Sequence, residues 1–178
     1  MAGGRRVNVL YSEEQISGAL ARLADEIAAA KLENLLIVAV LKGSFMFAAD
    51  LLRELHRKGI SPQVEFIHLS SYLDGTVSSG SVRILKDIES SVDGRDVLVL
   101  DDILESGRTL AFAKDLLVAR GARRVLVSVM LEKPGKLAVD VGADFVGFSC
   151  PDHFVVGYGM DVAHSYRELP FIGVVETA

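Results

Sequence analysis

Apolar residues recur at helical spacing near the start of the chain. Ser12-Glu13-Glu14-Gln15 has the form of a capping box, in which two side chains satisfy free amides at the first turn of a helix. The apolar residues that follow at helical spacing are Ile16, Leu20, Leu23 and Ile27. The pattern predicts an amphipathic helix that runs to about Lys31.

Short runs that are apolar at every position alternate with helical patterns. Residues 35–40 form the first run, which is typical of a parallel-sheet strand covered on both faces. A turn at 42–44 leads into a second helix that Gly59 and Pro62 end, and a third helix ends near Gly121. Further strands are predicted at 64–69, 82–85, 97–100, 125–131, 145–148, 154–156 and 172–175.

This alternation predicts an α/β fold with a central, mostly parallel sheet flanked by helices. Ligands of such folds bind outside the carboxyl ends of the strands. The segments expected at the ligand site are therefore 42–44, 101–109 and the residues after Leu131. Residues 70–81 are polar and rich in glycine and serine, which predicts a long turn or a mobile loop.

The composition fits one domain and restricts its partners. The 178 residues are 50% hydrophobic and carry a net charge of -5, which argues against a broad basic surface for nucleic acid. Cys150 is the only cysteine, so a reducing compartment is expected. No apolar stretch of a signal peptide follows Arg5-Arg6, and the longest apolar run, 35–41, is too short to span a bilayer. These features favour the cytoplasm.

Residues 97–110 carry the strongest functional signal. An apolar strand ends at Asp101-Asp102, and residues 105–109 turn into the start of a helix. Adjacent carboxylates suit vicinal sugar hydroxyls or a hard cation such as magnesium, and the amides of a helix N-terminus bind phosphate. A Walker B carboxylate and a plain strand-end cap are the alternatives. The chain lacks the G-x-x-x-x-G-K-[ST] loop that a Walker B site requires.

This stretch resembles the phosphoribosyl pyrophosphate motif of the type I phosphoribosyltransferases. Further segments resemble the hypoxanthine-guanine branch of that family, in order from about residue 7 to 175. They are 41–44, 70–72 with 84–87, 133–134, 144–148, 151–152, 154–161 and 166–170. The resemblance implies a single domain over residues 1–178, with a core at about 35–134 and a small hood from about 1–34 and 135–178.

The family pattern also implies which residues bind phosphoribosyl pyrophosphate. Lys42 and Gly43 would hold its pyrophosphate across a non-proline cis peptide, and Arg167 would reach the same group. Asp101 and Asp102 would hold the ribose hydroxyls and Mg²⁺. The residues implied for the 5′-phosphate are Ser106, Gly107, Arg108 and Thr109, and Glu105 is implied in the same phosphoribosyl pyrophosphate site. Asp161 is implied as a further metal ligand in the purine site, and Ser71 and Tyr72 are implied in a closing lid.

The purine site is implied at four positions, which are Lys133, Phe154, Val155 and Asp161. Lys133 would donate to the 6-oxo group, Phe154 would stack on the base, and the Val155 carbonyl would accept from it. Glu105 would be the catalytic base that takes or shares the N7 proton. Without the resemblance, Lys133 is a surface lysine, and Phe154 and Val155 are core strand residues.

Three of the positions with implied roles depart from the usual family pattern, and Ser149-Cys150 replaces a more usual Glu-Ile without a foreseen effect. Asp101 stands where Glu is frequent, and Arg108 stands where relatives have lysine or a small residue. Glu105 replaces the usual aspartate base and is one methylene longer. This change retains the acid–base chemistry and alters its geometry.

The resemblance implies a purine-salvage enzyme that forms nucleotides from phosphoribosyl pyrophosphate and hypoxanthine or guanine. Its expected partners are small-molecule substrates and a second or further copies of itself, as a homodimer or homotetramer, without nucleic acid or membrane. The alternatives are a phosphoribosyltransferase for xanthine, adenine or orotate, and a nucleotide-sensing, RNA-binding regulator on the same fold. Lys133 argues against adenine, and the net charge of -5 argues against the regulator.

Overall fold

The structure, a computed structural model, describes residues 6–71 and 81–176. The helices in these residues are α1 (Glu13–Ala29), α2 (Phe45–Arg57) and α3 (Arg108–Ala119). The strands are β1 (Val7–Tyr11), β2 (Leu36–Leu41), β3 (Gln63–Ser71), β4 (Val82–Lys86), β5 (Asp96–Leu104), β6 (Arg124–Glu132), β7 (Phe145–Ser149), β8 (Val155–Val156) and β9 (Ile172–Val175). None of the helices among these residues is both long enough and apolar enough to cross a bilayer.

The start of α1 follows the predicted capping box. The Ser12 hydroxyl accepts from the Gln15 amide at 3.2 Å, and the Gln15 side chain accepts from the Ser12 amide at 2.8 Å. The apolar stripe is buried, from Ile16 to Ile27. The prediction of an amphipathic helix is therefore confirmed, and the helix ends two residues before Lys31.

Six strands form the main sheet, in the order β4-β3-β2-β5-β6-β7. Neighbouring strands are parallel except β3 and β4. Along β2, Ile37 and Ala39 pack in the layer of α1 and α2, whereas Leu36 and Val38 pack in the layer of α3. Because helices cover both faces, the strand is apolar at every position. The predicted α/β fold is confirmed.

The central strand β5 runs farther than its apolar run indicates. Asp101 still pairs with Val129, and Leu104 pairs with Glu132, so β6 supports the strand through its last residue. The prediction that the strand ends at Asp101-Asp102 is therefore wrong. Both carboxylates lie within the strand, and the turn to α3 is confined to residues 105–107.

A second sheet, with the order β1-β9-β8, joins the two ends of the chain. The hydropathy pattern does not predict β1, because the strand is short and only partly buried, and because its partner lies at the other end of the sequence, with Val7 paired to Val175. These strands come from the segments proposed as a hood. However, β7 belongs to the six-stranded sheet and α1 packs on α2 and β7, so the boundary between core and hood stays a prediction.

Candidate active site

A cavity of about 350 Å³ opens at the carboxyl ends of β2 and β5. The loop at 42–44 and the segment 101–109, which follow different strands, meet there as the parallel topology requires. The residues with predicted roles that line the cavity are Lys42, Gly43, Ser71, Asp101, Asp102, Glu105, Ser106, Gly107 and Thr109. The structure therefore brings together most of the residues expected to bind phosphoribosyl pyrophosphate.

The loop after β2 passes very close to β5. The expected non-proline cis peptide is present and joins Leu41 to Lys42. A methyl group on Gly43 would overlap the carboxylate of Asp102, so a side chain at this position would displace that carboxylate. The buried Ser44 hydroxyl donates to the Val40 carbonyl at 2.6 Å and holds the turn from inside. The loop backbone and a carboxylate thus face the same space.

Asp101 and Asp102 are neighbouring carboxylates, and neither forms an ion pair within the described residues. Asp101 is 8% exposed, and its carboxylate accepts from the Asp102 amide at 2.9 Å, while that of Asp102 accepts from the Ile103 amide at 2.8 Å. Burial and the adjacent charge raise the pKa of Asp101 well above its usual range. Burial also raises the pKa of Asp102, although hydrogen bonds and the positive charge of Arg167 oppose this. This donor set suits a cation or sugar hydroxyls.

The buried charge of Asp101 has a consequence for stability. Because the pKa of this carboxyl is raised on folding, the protonated form stabilises the fold below pH ~4, and this contribution is lost as the pH rises toward the folded-state pKa. Asp101→Asn keeps an acceptor without the charge, so we expect a higher Tm at pH 7 in metal-free buffer. A gain of about 1 kcal/mol corresponds to about 2–4 °C.

The measurement is a series of melting curves of wild type and variant from pH 4 to 8 in chelator. The Tm difference should shrink toward pH 4. Asp115→Asn, at an exposed carboxylate on α3, is the matched control and should leave Tm unchanged. A variant that is less stable than wild type at pH 7 would contradict the account.

The turn before α3 presents a helix N-terminus to the cavity. Gly107 caps the helix with a φ of 77°, and a side chain there would overlap Val141. Both observations require glycine. Ser106 and Thr109 line the cavity, whereas Arg108 lines a separate hollow with Ser81, Val82, Val139 and two residues of α3. The structure thus does not bring the Arg108 side chain to the cavity.

Glu105 and Lys133 meet at the ends of the neighbouring strands β5 and β6. Their closest atoms, Oε1 and Nζ, are 3.2 Å apart. Lys133 is only 7% exposed, and its amide donates to the Leu104 carbonyl at 2.9 Å. The alternative that Lys133 is a surface residue is therefore wrong. Glu105 is about half exposed, so its carboxylate is accessible to a ligand.

Phe154 is 60% exposed, immediately before β8, whereas Val155 is buried. The alternative that Phe154 is a core residue is therefore wrong, and an exposed ring is available for stacking. An ion pair that the sequence pattern does not predict lies beside it, with 2.5 Å between Lys136 Nζ and Asp152 Oδ2. This pair joins the loop after β6 to the segment that carries Phe154.

Asp161 and Arg167 form an ion pair behind the Lys42-Gly43 loop. The Arg167 Nη2 lies 2.8 Å from Asp161 Oδ1, and Nη1 donates to the Gly159 carbonyl at 2.6 Å. Gly159 in turn packs on the Gly43 carbonyl so closely that a side chain would not fit. The two residues are therefore placed near the loop expected to bind pyrophosphate.

The predicted metal ligands are not gathered in one place. Within residues 6–71 and 81–176, no three carboxylate, imidazole or thiol groups are close enough to hold one ion. Asp101 and Asp102 therefore form one location and Asp161 another. Magnesium usually takes one or two carboxylates together with waters and substrate phosphates, which is compatible with two separate positions.

The expected lid falls mostly outside the described residues. Ser71 is the last residue of β3, is exposed and lines the cavity. Tyr72 and the other residues of the predicted loop up to residue 80 lie outside the part of the chain that the structure describes. Closure by this segment stays a prediction.

Comparisons with known proteins agree with this geometry. The sequence profile described as the phosphoribosyl transferase domain matches residues 7–163. A solved hypoxanthine phosphoribosyltransferase from Staphylococcus aureus has a TM-score of 0.89 and 38% identity, with 95% of this chain and 91% of that chain covered. The fold and the site thus define a phosphoribosyltransferase.

The curated relatives narrow the class. The hypoxanthine-guanine phosphoribosyltransferase of Bacillus subtilis is 43% identical over 171 residues, which cover 96% of this chain and 93% of the relative. The bifunctional protein TilS/HprT of Listeria monocytogenes is 45% identical over 94% of this chain, which spans about a quarter of that longer protein, 26%. The chain belongs to the hypoxanthine-guanine phosphoribosyltransferase family, as the sequence motifs predict.

Proposed function

We propose that the chain transfers the 5-phosphoribosyl group of phosphoribosyl pyrophosphate to hypoxanthine or guanine. The bond between ribose C1 and the pyrophosphate oxygen breaks, and a bond between C1 and a purine nitrogen forms. Pyrophosphate leaves with the bonding electron pair, and the purine loses one proton. The observation that carries the proposal is the cavity that joins the carboxylate pair, the N-terminus of α3 and Glu105, whose carboxylate lies 3.2 Å from Lys133 Nζ.

The edge of a 6-oxopurine matches the Glu105–Lys133 pair. Its 6-oxo oxygen accepts a hydrogen bond, and its N7–H donates one. An ammonium group has only donors, and an ionised carboxylate has only acceptors. Because the two side chains lie 3.2 Å apart, adjacent groups on one purine edge can face both of them. Lys133 then binds the oxo group, and Glu105 accepts the N7 proton as the general base.

The carboxylate pair supports the sugar. Positive charge develops on the ribose ring as the pyrophosphate bond breaks, and negative groups placed near that charge lower the barrier. Asp101 and Asp102 lie at the end of β5 between the β2 loop and the turn to α3, which is where a ribose between two phosphate positions would lie. Their carboxylates would accept from the 2′- and 3′-hydroxyls.

The phosphate groups would lie at the two sides of the cavity. The amides of residues 106–109 at the start of α3, with the Ser106 and Thr109 hydroxyls, suit the 5′-phosphate. The Lys42-Gly43 loop and Arg167 suit the pyrophosphate. With a net charge of -5 the chain has little general attraction for a polyanion, so these local groups must supply it.

We also propose that the site binds Mg²⁺. The carboxylates of Asp101 and Asp102 form no ion pair within the described residues and fit a hard cation. Burial raises the pKa of both groups, and a nearby positive charge would favour their ionised forms. Asp161 would offer a further carboxylate near the pyrophosphate. When bound, the ion supplies charge neutralisation for the leaving pyrophosphate.

The setting of the reaction is also proposed. We propose a homodimer or homotetramer that acts in the cytoplasm on small-molecule substrates. A single, buried Cys150 suits a reducing compartment.

A direct test combines the purified chain with magnesium, phosphoribosyl pyrophosphate and hypoxanthine or guanine. We expect one pyrophosphate released for each nucleotide formed, with the nucleotide identified by mass spectrometry. Omission of the base is the control and should stop pyrophosphate release. Pyrophosphate release without nucleotide formation would contradict the proposal.

A further inference from the structure

Tyr158 joins the turn after β8 to helix α2. Its side chain is 5% exposed, and its hydroxyl donates to Asp50 Oδ2 at 2.7 Å across 108 residues of sequence. Burial and the neighbouring carboxylate raise the pKa of Tyr158, so the hydroxyl remains protonated and able to donate. A hydrogen bond to an ionised group is stronger than one between neutral groups.

The backbone around Tyr158 has an uncommon conformation. Gly157, Tyr158 and Gly159 have φ angles of 92°, 51° and 97°, three left-handed residues in succession. This region is unfavourable for an aromatic residue and persists where the surroundings enforce it. Here the Tyr158 and Gly159 amides donate to the carbonyls of Leu169 and Arg167 at 2.9 and 3.0 Å. The side-chain bond to α2 adds a connection from outside the turn.

The same turn contacts the candidate active site from behind. Gly159 packs directly on the Gly43 carbonyl. The Gly159 carbonyl holds the Arg167 guanidinium at 2.6 Å, and the charge of Arg167 lowers the pKa of Asp102. A shift of the turn would therefore displace Arg167 relative to both the loop and the carboxylate.

We infer that Tyr158 is a positioning residue for the pyrophosphate end of the site. Helix α2 begins directly after residues 42–44. The bond from Tyr158 to Asp50 on this helix therefore connects the turn after β8 to the 42–44 loop, the two segments that meet where Gly159 packs on Gly43. The bond thereby sets the place of Arg167 without contacting substrate. This inference rests on the proposed function, in which the Lys42-Gly43 loop and Arg167 bind pyrophosphate.

Tyr158→Phe removes the hydroxyl and keeps the ring. We expect the KM and the calorimetric Kd for phosphoribosyl pyrophosphate, measured with magnesium present, to rise about tenfold. The KM for the base should change less than about threefold, because Lys133 follows β6 and Phe154 precedes β8, whereas Tyr158 lies in the turn after β8. Asp50→Asn keeps an acceptor without the charge, so a smaller rise is expected. Arg53→Ala removes an exposed partner of the same carboxylate and should leave both constants unchanged.

A double-mutant cycle with Asp50→Ala separates positioning from general destabilisation. If the effect passes through this bond, the double variant should bind phosphoribosyl pyrophosphate no worse than either single variant. Additive losses, an equal rise in both KM values, or an unchanged Kd with a lower Tm would each overturn the inference. The Kd needs no turnover. Wild-type binding without product would therefore refute the proposed function alone, and a wild type that does not bind would refute both.

Discussion

Glu105→Gln is expected to lower kcat by about 10²-fold or more, with a smaller change in the affinity for phosphoribosyl pyrophosphate. The substitution keeps the size of the side chain and its position at the end of β5, and it removes the group that accepts a proton. The half-exposed Glu105 carboxylate lines the cavity and lies 3.2 Å from Lys133, the side chain that we propose binds the purine 6-oxo group. Steady-state kinetics with hypoxanthine measure the effect.

Two controls make this result specific. Glu105→Asp restores the shorter carboxylate that the family pattern usually has, and it should retain far more activity than Glu105→Gln. Glu89→Gln changes an exposed carboxylate outside the cavity and should leave kcat unchanged. If Glu105→Gln keeps kcat within a few-fold of wild type, Glu105 is not the base.

The second prediction with a large expected effect concerns the selectivity between 6-oxopurines and adenine. Lys133 carries three donors and no acceptor, so it pairs with an oxygen at purine C6 and opposes the amino group of adenine. Its burial makes an unpaired ammonium costly. Sites built to pair a polar group reject analogues that lack it, and we expect kcat/KM for hypoxanthine to exceed that for adenine at least ~10³-fold.

Lys133→Met should remove most of the activity with hypoxanthine and raise the activity with adenine relative to that with hypoxanthine. The KM for phosphoribosyl pyrophosphate should barely change, because we propose that Lys133 binds the base and not the sugar. Lys114→Met, on α3 and outside the cavity, is the matched control. An unchanged base preference in Lys133→Met would mean that this lysine does not read the 6-position.

The local pattern of apolar and polar residues predicts much of this fold. Strand β2 is apolar at every position because helices cover both of its faces, and the capping box at Ser12 marks a helix start in the structure. Asp101 and Asp102 are recognisable because the apolar run that they follow continues into Ser106-Gly107-Arg108-Thr109 and the start of a helix. The end of β5 is mispredicted because hydrogen bonding to β6, which does not depend on hydrophobicity, carries the strand to Leu104.

The remaining features depend on contacts between distant segments. The pairing of β1 with β9 joins the ends of the chain, and the bond from Tyr158 to Asp50 spans 108 residues. Neither leaves a periodic signal in the sequence. The direction of Arg108 depends on the first turn of α3, and the exposure of Phe154 depends on β8 beginning one residue later than its apolar run.

The most direct test of the central claim is kcat/KM for hypoxanthine, guanine, xanthine and adenine under one set of conditions, with magnesium and phosphoribosyl pyrophosphate. The account predicts efficient nucleotide formation with hypoxanthine or guanine and at least ~10³-fold less with adenine. No turnover of any 6-oxopurine by folded protein, or comparable use of adenine, would contradict it.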